Sequence, residues 1–133
     1  VLDSSHSKLL LVESEPLLAD LTTFRLELLG YQIQCMSTGS EVTSSLSREV
    51  PDLLIVGNTL RDGDGLELLA RLRNQYPASQ LPVLICSTDP GLETVERAFA
   101  AGAQDYLITP FDPAVLEQKV QELLNSNAVA GTV

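Results

Sequence analysis

The stretch Pro51-Asp52-Leu53-Leu54-Ile55-Val56-Gly57-Asn58-Thr59-Leu60-Arg61-Asp62-Gly63-Asp64-Gly65 decides the fold. Residues Asp52 to Val56 form a short apolar run bounded by Pro and Gly, as expected of a strand buried on both faces. Gly57 closes the strand, a glycine-rich loop follows, and Gly65 to Gln75 places Leu66, Leu69 and Leu72 on one helical face.

The same alternation extends in both directions. Lys8 to Val12 reads as a first buried strand, and Glu15-Pro16 opens a helix, since proline is tolerated in a first turn. Leu17, Leu21, Phe24 and Leu28 recur at helical spacing as that helix's apolar face, and Gly30 ends it. Tyr31 to Met36 alternates in the strand manner, and Ser40 to Arg48 predicts a weaker, Ser/Thr-rich helix. Leu81 to Ser87 is another apolar strand, Leu92 to Ala101 a helix stopped by Gly102, and Asp105 to Ile108 the last strand. Pro113 to Leu124 forms the last helix, with Leu116, Val120 and Leu123 inward.

Five strands alternating with five helices predict an α/β fold with a parallel sheet and helices on both faces. The flavodoxin-like doubly wound order 2-1-3-4-5 suits this length, and it gathers function at the carboxyl ends of the strands. Those ends carry Glu13 to Glu15, Gly57 to Thr59, Ser87 to Thr88 and Ile108 to Pro110.

The 133 residues fit one domain, residues 8–124, between an N-terminal linker at 1–7 and a C-terminal linker or tail at 125–133. A start without Met and an end in small residues suggest a piece of a longer polypeptide. The net charge of -10 argues against direct nucleic-acid or anionic-membrane binding, because both targets are polyanions. Apolar runs of four or five residues fall far short of a membrane span. Cys35 and Cys86 lie in predicted strands without ligand spacing, so buried reduced thiols and a cytoplasmic location are expected. His6 is expected to be exposed in the polar leader.

The chain resembles the receiver domain of bacterial response regulators over about Lys8 to Leu124. The resemblance rests on Pro51-Asp52 with four apolar residues and Asp64-Gly65, on Ser87 after the fourth strand, and on Gly102-Ala103-Gln104-Asp105-Tyr106-Leu107-Ile108-Thr109-Pro110-Phe111. In that family an acidic pair after strand one and an aspartate after strand three hold Mg2+ and take a phosphoryl group. A Ser or Thr after strand four and a Lys before the proline of strand five contact the phosphoryl oxygens.

The resemblance assigns these roles to Glu13, Ser14, Gly57, Ser87 and Thr109, with Thr59 beside them. It implies that a carboxylate has become Ser14, the acceptor Gly57 and the lysine Thr109. Those losses belong together, because a lysine left in a partly buried pocket without its carboxylates would cost several kcal/mol. The expectation is a degenerate phosphorylation pocket: no catalytic residue, no metal and no cofactor. Asp62-Gly63-Asp64-Gly65 lacks the ligand spacing of a calcium loop and reads as a turn with Asp64 as helix cap. Glu13 reads as a solvated acid, the sharper alternative being that Arg61 folds back to pair with it across the empty pocket. The resemblance further implies a cis peptide before Pro110, and an aromatic at Tyr106 that turns inward when the Ser/Thr engages a phosphate.

In the family, the face built from the fourth helix, fifth strand and fifth helix carries dimer or target contacts. Here that face holds Val95, Phe99, Asp105, Tyr106, Val115 and Lys119. Val95 and Val115 replace a charged cross-dimer pair, whereas Asp105 and Lys119 keep opposite charges; Leu92 and Phe99 are expected to pack into the core. The resulting reading is a non-enzymatic, phosphorylation-independent pseudo-receiver. It would contact a protein partner or a covalently linked effector domain, with a homodimer through this face as one form. The alternative is a flavodoxin-like domain sensing a small ligand or cofactor, against which the acidic Glu13-Ser14-Glu15-Pro16 loop speaks.

Overall fold

The structure is a computed structural model that describes residues 7–132. In chain order it contains β1 (Lys8–Val12), α1 (Pro16–Glu27), β2 (Gln32–Met36), α2 (Gly39–Arg48) and β3 (Leu53–Gly57). A two-residue pair follows, β4 (Thr59–Leu60) and β5 (Gly63–Asp64), then α3 (Gly65–Leu72), β6 (Val83–Ser87), α4 (Leu92–Ala101), β7 (Asp105–Ile108) and α5 (Pro113–Thr132). The main sheet runs β2-β1-β3-β6-β7 with every neighbouring pair parallel. This is the expected flavodoxin-like order once the β4–β5 hairpin is set aside.

Alternate strand residues feed two cores, as the two-residue strand period requires. Leu10, Val12, Leu54, Val56, Val83 and Ile85 meet Val42 and Leu46 of α2, Leu66, Leu68, Leu69 and Leu72 of α3, and Ala98 of α4. On the other face, Leu9, Leu11, Leu53, Ile55, Leu84 and Leu107 meet Leu26 of α1 and Leu116 and Val120 of α5. Each buried leucine or isoleucine stabilises the fold by about 2 kcal/mol relative to exposure.

Glu41, Asp62 and Asp64 serve helix starts. Thr38 and Glu41 form a capping box on α2. The Asp62 carboxylate reaches across to the same helix and accepts from Gly39 N at 2.7 Å and Ser40 N at 3.1 Å. Those backbone donors hold Asp62 below the usual carboxylate range. Asp64 caps α3 by accepting from Leu66 N, as expected.

At the amino end of the sheet, one cation ties four segments together. Arg73, just past α3, donates to the carbonyls of Tyr76, Leu81 and Gly102 and to Gln104 Oε1, which also accepts from Val83 N. Gly102 ends α4 in the left-handed region, and a Cβ there would stand 2.7 Å from Arg73 Cγ, so only glycine fits.

Several expectations are corrected. Leu17, Leu21, Phe24 and Leu28 face solvent, and α1 buries Ala19, Thr22 and Leu26 instead. Helical spacing marks an apolar stripe but does not say which stripe meets the sheet, and here the small Ala19 and Thr22 sit against it with Leu26. Leu92 and Phe99 are likewise exposed, with Ala98 taking the core position on α4. Cys86 is buried, whereas Cys35 is exposed on edge strand β2; both are free thiols. Helix α5 continues past Leu124 to Thr132, so 125–132 extends the helix where a linker was expected. The leader residues 1–6, including His6, lie outside the described residues.

Candidate functional site

Parallel register brings the strand ends together. Val12 lies level with Val56 and Met36, Gly57 with Cys86, and Ser87 with Ile108. The loops beyond enclose a cavity of about 280 Å³ lined by Glu13, Ser14, Thr59, Ser87, Thr88 and Thr109, with Glu15, Leu18, Asn58 and Cys86 completing the wall. The structure thus unites five of the six assigned pocket residues, and the sixth, Gly57, lies directly beneath Glu13.

Gly57 is buried and presents no side chain. The Glu13 carboxylate covers it: a Cβ built on Gly57 would sit 3.0 Å from Glu13 Oε1 and 3.2 Å from Cδ and Oε2. Glu13 accepts a hydrogen bond from Glu15 N at 3.1 Å, and no ion pair involves it among the described residues. Arg61 does not fold back onto it, which removes the sharper of the two readings. That side chain is exposed, and the hairpin carries its backbone N to Ser37 O at 3.1 Å.

Burial raises the Glu13 carboxyl above its ordinary 4.5, backbone N–H groups of Glu15 and Ser14 partly oppose this, and the Glu15 charge adds to it. Glu13→Gln is therefore expected to stabilise the fold near neutral pH while keeping an acceptor for Glu15 N. With the folded value raised, the ionised carboxylate destabilises the native state progressively as pH climbs from 4.5 through that value. Urea unfolding of both proteins at pH 4 and pH 7.5 measures this. A Gln variant with no greater advantage at the higher pH would contradict it.

Ser14 lines the cavity, but its hydroxyl is engaged. Its Oγ donates to Thr59 O at 2.8 Å, bridging the β1–α1 loop to the hairpin and occupying an oxygen that could otherwise face a cation. Ser87 is buried, and its Oγ accepts from Asp89 N at 3.0 Å. Thr109, also buried, donates its backbone N to Ser87 O, and the Thr109-Pro110 peptide is cis, as the resemblance implied. Tyr106 points inward, with its hydroxyl donating to Asp89 O at 2.7 Å. Ser87 and Tyr106 are thus anchored to opposite backbone groups of one residue. Asp89 itself is held low in pKa, chiefly by the Thr94 hydroxyl and then by Gly91 N.

Leu18 and Cys86 were not anticipated in the cavity wall. Leu18 lies off the exposed stripe of α1, and the strand ends alone gave no signal for it. Cys86 could have been placed from register, since it stands level with Gly57. Its thiol is pushed up to about 12, first by burial and then by the Glu13 charge, which makes it a poor nucleophile.

The assigned interaction residues lie apart from this cavity. Val95 is half-buried against the core, Phe99 and Val115 are exposed, and Tyr106 belongs to the core. Asp105 and Lys119 pair within the chain, with Nζ 3.0 Å from both carboxylate oxygens. No described helix is long and apolar enough to cross a membrane.

Comparison with known proteins agrees with this architecture. The transcriptional regulatory protein CrdR of Helicobacter pylori is 33% identical over 124 residues, covering 93% of this chain and 58% of that protein. The phosphate regulon transcriptional regulatory protein PhoB of Rhizobium meliloti is 32% identical over 117 residues, covering 88% and 52%. The chain therefore spans about half the length of these curated relatives. Among solved structures, a CheY-like response regulator receiver domain protein from Methanospirillum hungatei superposes with a TM-score of 0.85 at 25% identity, covering 93% of this chain and 98% of that one. The family profile described as "Response regulator receiver domain" matches residues 9–121. With its sheet order, its loops at the strand ends and that match all in agreement, the chain belongs to the response regulator receiver domain family.

Proposed function

We propose that this receiver works without phosphorylation, as a pseudo-receiver that serves two-component-type signalling through protein contacts. The observation that carries the reading is Gly57 beneath the Glu13 carboxylate. The position where the family would place its acceptor has no nucleophilic atom, and a carboxylate already occupies the space above it. Ser14 and Thr109 extend the same change, since neither supplies the charge that Mg2+ binding or phosphoryl stabilisation would need. Tyr106 supports it from the far side: the aromatic is inward, and its hydrogen bond to Asp89 needs no phosphate.

The contacts would go to a linked effector domain or to a separate protein. The face of α4, β7 and α5 suits this, since Leu92, Phe99, Ile108 and Val115 are exposed there. Asp105 and Lys119 satisfy each other within the chain, so recognition on this face would be largely apolar. A cytoplasmic protein is the setting this reading requires.

Incubation with acetyl phosphate and Mg2+, followed by intact-mass measurement, is the test. No phosphoryl adduct is expected; a stoichiometric one would sink the proposal.

A further inference from the structure

The apolar face of α1 remains unexplained by the site or by the core. Leu17, Leu21, Phe24 and Leu28 are 75%, 46%, 58% and 62% exposed. Four large side chains in one row are more than the scattered apolar residues of an ordinary surface. Their spacing of four, three and four residues is that of a two-helix seam, with Leu17 and Phe24 at one core position of the heptad and Leu21 and Leu28 at the other.

The charges beside the seam identify its occupant. Asp20 lies on one flank and Arg25, five residues later, on the opposite flank. A parallel two-fold pair brings such residues together across the interface, Asp20 of each copy meeting Arg25 of the other, twice. An antiparallel pair would instead set Asp20 against Glu27 of the other copy, and like charges at that spacing repel. Within its own chain Arg25 holds Glu117 of α5 through Nε and Nη2, while Nη1 takes no part in that pair. Its side chain is 33% exposed, and no ion pair engages Asp20 among the described residues. The domain already holds α1 folded, so pairing does not carry the cost of forming a short helix.

We propose that α1 is a homodimer interface, a second copy packing in parallel along Leu17, Leu21, Phe24 and Leu28 with reciprocal Asp20–Arg25 pairs. This surface is distinct from the α4, β7 and α5 face, and at its amino-terminal end Leu17 and Leu21 border Thr88 and Thr109 of the cavity wall.

Sedimentation or light scattering of the whole chain over a concentration series reads it. A monomer–dimer equilibrium is expected, weakened at least tenfold by Phe24→Glu and several-fold by Asp20→Arg. Val115→Glu, on the other face, should leave it unchanged. Leu28→Cys in a Cys35→Ser background should oxidise to a covalent dimer, because a parallel seam sets the two positions side by side. An antiparallel pair would hold them roughly 16 Å apart, beyond the ~7 Å reach of a disulfide. A chain monomeric at every concentration overturns the proposal and leaves the seam to a helix of another protein. A dimer broken by Val115→Glu and indifferent to Phe24→Glu overturns it too, as does failure of Leu28→Cys to cross-link.

Discussion

Gly65→Ala is expected to cost about 3 kcal/mol of stability or more, at the upper end of overpacking penalties. The added Cβ would stand 2.0 Å from Gly57 O, with Val56 Cγ1 at 3.0 Å and Gly57 C at 3.2 Å. The obstacle is backbone in the central strand, so no side-chain rotation relieves it. Gly65 N also donates to Asn58 O at 2.8 Å, which fixes the start of α3 against the end of β3. Gly57→Ala is the useful comparison, because the three nearest atoms to its new methyl all belong to the movable end of Glu13. Urea unfolding of the two variants should show a large loss for Gly65→Ala and a small one for Gly57→Ala. Equal midpoints would mean that α3 does not start as close to β3 as described.

The second large effect concerns recovery of phosphoryl chemistry. Gly57→Asp alone is expected to yield no phosphoryl adduct and to destabilise the fold near neutral pH, since the new carboxylate would enter space held by Glu13. Two carboxylates at such a distance cannot both ionise without cost unless a cation joins them. The triple change Ser14→Asp, Gly57→Asp and Thr109→Lys supplies that missing context: another oxygen ligand for Mg2+ and a fixed positive charge. It also removes the hydroxyl of Ser14 that bonds Thr59 O. Intact mass after acetyl phosphate treatment should then show a Mg2+-dependent adduct in the triple variant only. An adduct in Gly57→Asp by itself would show that the three positions do not act as a unit.

The fold was legible because the strands are continuous apolar runs separated by helical spacing, and such runs have few other ways to be buried. β1, β7 and α4 begin and end where the sequence placed them. The β4–β5 hairpin was not foreseen, since its two-residue strands carry too little pattern; Asp64 was legible as the cap of α3, whereas nothing near Asp62 in the sequence says that it reaches across to the start of α2. The candidate site was legible by position, because parallel strands end at one edge. Its geometry was not: nothing in Glu13-Ser14-Glu15-Pro16 says that Glu13 turns over Gly57 while Ser14 reaches Thr59. The orientation of α1 was lost for a different reason. Ala19, Thr22 and Leu26 carry less apolar weight than the leucines and Phe24, yet close packing on the sheet selected them.

The Arg73 cluster bears on how such a domain can change. Its five acceptor contacts join the end of α3, the start of β6 and the turn into β7, all at the pole of the molecule opposite the cavity. None of those partners lines the cavity wall. Architecture and chemistry are thus carried by separate residues at opposite ends of the same strands. Ser14, Gly57 and Thr109 can therefore change without touching any contact of Arg73, Gly102 or Gln104, so that the fold and the chemistry at its strand ends are separable in inheritance.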